Sequence, residues 1–291
     1  SPSSGGIWTS SNPSVATINN NGFVTTLAAG TTTFQFTQTS TGCTSEVSPI
    51  FTVNAKPVVN ISGDTILCVG ETSQALSPGS GTWTSSNPST ATINNDGLIN
   101  ASGPGLVSFT FTSSVTGCPS LPTKTILVNP NPSISIEGPA SICLNGTTQL
   151  SPSTGGIWTS NHPTVATVTN SGLVTGITQG VSHFRFTDST TGCASVNTVS
   201  ILVYGKPNAQ VTGPKNICIG SNTSLQPSSG GIWISSNNAV ATVNAGGIAT
   251  GVGVGSARFI FIESISGCIS DSTDLITVSI KPTASLSGDN I

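Results

Sequence analysis

Seven cysteines are the residues of this 291-residue sequence whose type and spacing point to chemistry. Cys43, Cys118, Cys193 and Cys268 stand 75 residues apart, and Cys68, Cys143 and Cys218 keep the same step. Cysteines can ligate a metal, run redox exchange or form structural disulfides. Metal and redox sites set them close together in sequence, as Cys-x-x-Cys or in Cys/His clusters, and this sequence has neither. Periodic structural disulfides are the chemistry left, which implies an oxidising, extracellular setting. Other reactive constellations are missing too. His162 and His183 fall in a single stretch of the sequence and read as surface variation. The ten acidic residues are scattered and form no Asp-rich calcium loop. No Gly-x-Ser-x-Gly elbow, Walker loop or His-Glu-x-x-His occurs. The chain reads as a non-enzyme with no catalytic residue, cofactor or metal.

The 75-residue step also holds for Trp8, Trp83, Trp158 and Trp233, and for Lys56-Pro57, Asn131-Pro132, Lys206-Pro207 and Lys281-Pro282. A period this long is a whole small domain. The expected organisation is a truncated first repeat at 1–56, repeats at 57–131, 132–206 and 207–281, and the first strand of a further repeat at 282–291. The sequence accordingly reads as a window on a longer array. Charged residues make up 6 % and the net charge is −3, which excludes a basic nucleic-acid surface. No apolar run reaches the roughly 18 residues of a membrane span.

Within 57–131 short apolar–polar alternations are separated by turn residues, as at Asn94-Asn95-Asp96-Gly97, a strong hairpin signal. Val107, Phe109 and Phe111 alternate onto one face, and no stretch has helical periodicity. About seven strands with a turn every 8–12 residues describe an all-β sandwich. Trp8, Trp83, Trp158 and Trp233 are expected in its core. Proline-bounded junctions with almost no linker make a stiff head-to-tail rod. At ~3.3 Å per residue, each repeat would span roughly 35–45 Å and the window about 150 Å.

The segment from Trp83 through Ser-Asn-Pro to Ala91-Thr-Ile93, then Asp96-Gly97-Leu98-Ile99, then Gly105 ahead of Phe109-Thr-Phe111, resembles the group 2 bacterial immunoglobulin-like domain. Trp8 to Val24, Trp158 to Val174 and Trp233 to Ile248 repeat it. The added Cys68 and Gly117-Cys118 look more like repeats of giant adhesins secreted by gliding bacteria. The resemblance implies tandem immunoglobulin-like sandwiches and a surface adhesin or stalk without catalysis. Asp64-Thr65, Asp188-Ser189 and Asp271-Ser272 resemble bacterial Asp-Ser/Thr O-glycosylation sites, with Thr65, Ser189 and Ser272 as acceptors.

Two disulfide schemes stay open. Bridges within a repeat would join Cys68 to Cys118, Cys143 to Cys193 and Cys218 to Cys268. In a seven-strand sandwich, however, the turn after Cys68 and the turn before Cys118 lie at opposite poles. That topology favours bridges between repeats, Cys68–Cys193 and Cys143–Cys268, with Cys43, Cys118 and Cys218 free or paired outside the window. The expected function is a rod segment of a large extracellular adhesin or filament. Its partners are neighbouring repeats and further copies in a filament, with no nucleic acid and no membrane span. A carbohydrate-binding array and the non-catalytic stalk of a secreted enzyme are the alternatives.

Overall fold

Two-residue alternation builds the sandwich. In Phe109–Ser113, Phe109 and Phe111 are buried, whereas Thr110 and Thr112 lie on the other side of the strand. The computed structural model describes residues 2, 4–195, 198 and 200–285; the last part of the strand expected at 282–291 lies outside them. The described residues are all strands and turns. They form two compact units, Ser1–Asn131 and Pro132–Ile291, each holding two of the sequence repeats.

The second repeat shows the plan. One sheet runs in the order Ala91–Ile93, Leu98–Ala101, Thr72–Leu76, Asn60–Ile61, all antiparallel. The other side is built on Gly105–Val107 and Phe109–Ser113, which Ser108 alone separates. Phe109–Ser113 pairs with the tryptophan strand Gly81–Ser85. Gly105–Val107 pairs with Ile126–Asn129, which in turn pairs in parallel with Ile66–Cys68. Between the two sides lie Leu67, Ala75, Trp83, Ile99, Val107, Phe109, Phe111, Ile126 and Val128. Repeats three and four reproduce this core around Trp158 and Trp233.

Two glycines are fixed by geometry. Gly97 closes the hairpin at φ +82°, and a side chain there would also meet the Ala75 carbonyl at 2.2 Å. Gly81 opens the tryptophan strand because a Cβ there would meet the Thr112 carbonyl at 2.2 Å and the Phe111 ring at 2.4 Å. Gly156 and Gly231 stand equally close to Phe186 and Phe261.

The first repeat departs from the plan. Trp83, Trp158 and Trp233 are buried, but Trp8 is half-buried. Trp8 packs at the edge of its core rather than within it. Among the described residues, the core of this repeat comprises Val15, Ala16 and Phe34, with Trp8, Ile18, Val24 and Val53 partly buried against it.

A side-chain ladder completes each sandwich. The Phe109 N–H donates to Thr123 Oγ1 and the Phe111 N–H to Ser120 Oγ, both at 3.0 Å. In return the Thr123 and Ser120 N–H groups donate to the Phe109 and Phe111 carbonyls at 2.9 and 2.7 Å. Pro119 and Pro122 interrupt this segment, and hydroxyl oxygens take the acceptor places that a regular strand would fill with carbonyls. Ser45 and Ser48, Ser195 and Thr198, and Ser270 and Thr273 do the same in the other repeats. Thr273 is 2 % exposed. Thr273→Val keeps its shape but leaves the Phe259 N–H buried without an acceptor, at a cost of about 1–3 kcal/mol. The neighbouring exposed Ser272→Ala should stay within about 0.5 kcal/mol. Urea unfolding of the two variants checks this; equal midpoints would remove the ladder as a source of stability.

Candidate functional site

The residues that recur in register without belonging to the core gather at the two poles of each repeat. At the trailing pole, Cys68 ends its strand level with Asn129, the last residue of the final strand. The turn that follows is held by its backbone: the Val69 N–H donates to Asn129 O at 3.1 Å and the Gly70 N–H to Ala101 O at 2.9 Å. Gly70 takes φ +93°. The Glu71 carboxylate reaches back to accept the Cys68 N–H at 2.8 Å. Because Ile66–Cys68 runs parallel to the last strand, its cysteine is carried to the end where the chain leaves the repeat.

At the leading pole the second cysteine follows a Thr/Ser-Gly-Cys turn. Gly117, Gly192 and Gly267 take φ +67°, +75° and +70°. The hydroxyl of Thr116, Thr191 or Ser266 accepts the cysteine N–H. In the third repeat Asp188 caps the turn: its Oδ1 accepts from the Thr191 and Thr190 N–H groups at 2.8 and 2.9 Å. The backbone bond from Thr191, followed by that from Thr190, holds the Asp188 carboxyl below the usual carboxylate range.

The two poles meet within the second unit. Cys143, level with Tyr204 at the trailing pole of the third repeat, is bonded to Cys268 at the leading pole of the fourth, with Cα atoms 5.6 Å apart and 125 residues between them in sequence. Cys268 is fully buried. Lys206, in the Lys-Pro junction, donates to Asp271 of the fourth repeat at 2.5 Å. Lys215 and Asp274, at 2.6 Å, stand just ahead of the paired strands Asn216–Cys218 and Ile276–Ser279 of that repeat. The Lys215 hydrogen bond and charge hold the Asp274 carboxyl below its ordinary range. Both pairs are largely exposed, where such contacts are worth at most about 1 kcal/mol.

Within-repeat pairing does not form. Cys118 and Cys218 are free thiols, as is Cys43, and Cys143 bonds Cys268 rather than Cys193. The physical reason is the separation of the poles: the parallel strand takes Cys68, Cys143 and Cys218 to one end, and the Gly-Cys turn keeps Cys118, Cys193 and Cys268 at the other. Neither Cys68 nor Cys193 is a free thiol.

The remaining expected positions do not converge. Ser189 and Ser272 are exposed and Thr65 is half-buried. His162 is exposed in a turn, and His183 Nε2 lies 3.3 Å from Ser200 Oγ. Among the described residues no group of three His, Cys, Asp or Glu side chains could hold a metal, and no helix is long and apolar enough to cross a membrane. The sequence reading missed the cap at 188 and its counterparts: Gln38 accepts from Thr41, Ser113 from the Val115 N–H, and Glu263 from Ser266. All four types are good turn acceptors standing five residues before the cysteine, and that shared property was the available signal.

Comparison with known proteins gives one family match and several distant likenesses. Over 305 residues the chain is 27 % identical to Ice-binding protein 1 of Shewanella frigidimarina (strain NCIMB 400), covering 92 % of this chain and 33 % of the relative. The chain thus spans about a third of that protein's length. Among solved structures, invasin, a bacterial integrin-binding protein, is 14 % identical over 94 % of this chain and 72 % of its own, with a TM-score of 0.33. Domains 1–6 of the surface-layer protein SbsC are 16 % identical over 92 % of this chain and 48 % of theirs, with a TM-score of 0.23. Residues 2–48 and 46–118 match the bacterial Ig-like domain (group 2) family, and the strand order of those residues continues through the second unit, so the chain is a tandem array of immunoglobulin-like β-sandwiches.

Proposed function

We propose that this chain is a load-bearing stalk segment of a large extracellular bacterial adhesin or surface filament. The observation that carries the reading is the Cys143–Cys268 bridge, which ties the trailing pole of one sandwich to the leading pole of the next. A covalent tie at a joint serves a chain that must keep its length under tension. The same 125-residue step separates Cys68 from Cys193, and we assign those two to each other, so that successive joints are bridged alike.

The outward faces support the stalk over a repeated ligand site. Repeat units that each bound a ligand would keep the binding face in register. Instead, the outer side of the paired tryptophan and phenylalanine strands carries Thr82, Thr84, Thr110 and Thr112 in the second repeat. The fourth repeat has Ile232, Ile234, Ile260 and Ile262 there, and the third has Ile157, Thr159, Arg185 and Thr187. What stays constant is the core and the poles. A carbohydrate array would also need exposed aromatic rings in register, and the recurring Trp–Phe pairs face inward, with ring centroids 5.2 Å apart in every repeat. Target binding then belongs to other parts of the whole protein, and length is what these repeats supply.

The test is made in the parent surface protein. Replacing Ile232, Ile234, Ile260 and Ile262 by threonine should leave cell adhesion unchanged, whereas deleting two whole repeats should shorten its reach. Loss of adhesion on the fourfold face substitution, with the protein still displayed, would overturn the stalk reading in favour of a ligand face.

A further inference from the structure

We propose that the tryptophan strand of the fourth repeat, Gly231–Ser235, is a self-pairing edge: it takes the same strand of a second copy of this chain, antiparallel and centred on Trp233. The contact gives the array a lateral neighbour. It rests on the geometry of the strand and goes beyond the stalk reading.

Gly231–Ser235 pairs on one side only, with Phe259–Glu263. Gly230 O accepts the Ser264 N–H and Arg258 O the Ser236 N–H, both at 2.8 Å. Bonded positions alternate in an antiparallel pair, so Ile232 and Ile234 turn their main chain toward Phe259–Glu263. Gly231, Trp233 and Ser235 turn theirs to the open side, where no described residue bonds them. Gly81–Ser85 and Gly156–Ser160 likewise have a single neighbour each, so the open edge is a property of the repeat. Natural sheets blunt such edges with lysine, proline or a bulge, and Gly231–Ser235 has none of these.

The outer face decides which repeat can use the edge. In the fourth it is isoleucine throughout: Ile232 and Ile234 are 56 and 43 % exposed, and Ile262 and Ile260 stand beside them. In the third repeat Arg185 takes the place of Ile260, and in the second repeat all four positions are threonine. A charge on the face of an open edge holds other strands away.

Antiparallel pairing is self-complementary here. Trp233 would exchange both main-chain bonds with its own copy, and Gly231 with Ser235 of the second copy. Ile232 then stands directly opposite Ile234 of the second copy. One row across the junction reads Ile262, Ile232, Ile234 and Ile260, the last two from the second copy, and the two-fold axis repeats it. Cross-strand β-branched pairs stabilise such a junction, and main-chain bonds to a sheet edge supply affinity. Charge favours this direction. Arg258 precedes the phenylalanine strand and Glu263 ends it. The two-fold sets the Glu263 end of one copy beside the Arg258 end of the other, whereas parallel pairing would bring like charges to the same end.

The experiment uses the intact chain. Sedimentation velocity over a roughly hundredfold range of concentration should show its mass rising from one copy toward two. Ile260→Arg, which installs the residue the third repeat already carries, should weaken that association at least tenfold. Thr110→Arg, the same position in the second repeat, should leave it unchanged. Register is read by trapping, with oxidised glutathione as oxidant and peptide mapping as readout. Ile232→Cys mixed with Ile234→Cys should give a 232–234 crosslink between copies, because those positions face each other at ~5 Å. Either variant alone should crosslink at its new cysteine at least tenfold more slowly, since like positions lie on the diagonal, about 7–8 Å apart, at the limit of disulfide reach. Adhesion of the parent surface protein, which tests the stalk reading, is a separate readout, so either idea can fail alone. A single-copy mass at every concentration, an association indifferent to Ile260→Arg, or trapping equal in the mixture and the single variants would overturn the proposal.

Discussion

Reduction of the chain should lengthen it under force by a step whose size reports the bridge pattern. The Cys143–Cys268 bond encloses 125 residues. While it is intact, pulling the ends apart cannot extend that stretch. An unfolded chain spans ~3.3–3.6 Å per residue, so opening this bridge alone would release roughly 410–450 Å of contour. If Cys68 and Cys193 are joined as proposed, the two loops overlap. The taut path from 68 to 268, a stretch of 200 residues, then crosses both bonds and retains only the 50 residues from 143 to 193. Full reduction would release the other 150, about 500–540 Å. Single-molecule pulling before and after reductant separates the two cases. Cys143→Ser sharpens the comparison: reduction should still release roughly 410–450 Å if Cys68 and Cys193 are bonded, and nothing if they are not. A reductant-independent contour in the unsubstituted protein would remove the load-bearing role altogether. The same bond should raise equilibrium stability. On the chain-entropy view, a loop of this size is worth about 5 kcal/mol.

The overlap has a mechanical consequence. With both bonds formed, tension passes from repeat to repeat through sulfur at the poles, and the backbone junction beside Pro207 is held slack. Ion pairs such as Lys206–Asp271 cannot do this, because exposed charges separate at small cost.

Local patterns made much of this architecture legible. The Asn94–Gly97 hairpin, the alternation through Phe109–Ser113 and the absence of helix follow from two-residue periodicity and turn chemistry. The opposite placement of the two cysteine classes followed from counting strand passes, and the poles do separate that way. Three features escaped for physical reasons. The parallel pairing of Ile66–Cys68 with Ile126–Asn129 joins segments about sixty residues apart, and nothing in either short strand specifies so distant a partner. The hydroxyl ladder of Ser120 and Thr123 lies in a stretch broken by prolines, where a backbone reading sees only loop. Gly81 reads as part of a turn, yet it begins a strand and is required by the Phe111 ring packed over it. Trp8 joins its core from the edge and is half-buried, where Trp83, Trp158 and Trp233 are buried. Its own strand is like the others, and its ring makes the same contact with its phenylalanine partner.

That contrast among chemically identical tryptophans sets the second large effect. Trp158 is 4 % exposed, packs in a tilted contact with Phe186 at 5.2 Å between ring centroids and donates its indole N–H to Pro152 O at 2.8 Å. Removing it empties the centre of the third sandwich, and large-to-small substitution of a buried aromatic costs about 3–5 kcal/mol. Loss of the ring pair adds to the lost burial. Trp8 makes the same 5.2 Å contact with Phe36 and donates to Pro2 O at 3.1 Å, but it is only half-buried. With less area removed from water, Trp8→Ala should cost roughly 1–2 kcal/mol. Hydrogen exchange followed by peptide mass spectrometry reads each repeat separately. At about 1.4 kcal/mol per tenfold, Trp158→Ala should lower protection in Phe184–Asp188 by two to three orders of magnitude. Protection in Gly81–Ser85, in the other unit, should not change. Trp8→Ala should lower protection in Phe34–Gln38 by about tenfold. Equal losses from the two substitutions would mean that the rings stabilise through their own strand pair, and that the strands laid over Trp158 contribute nothing to holding it.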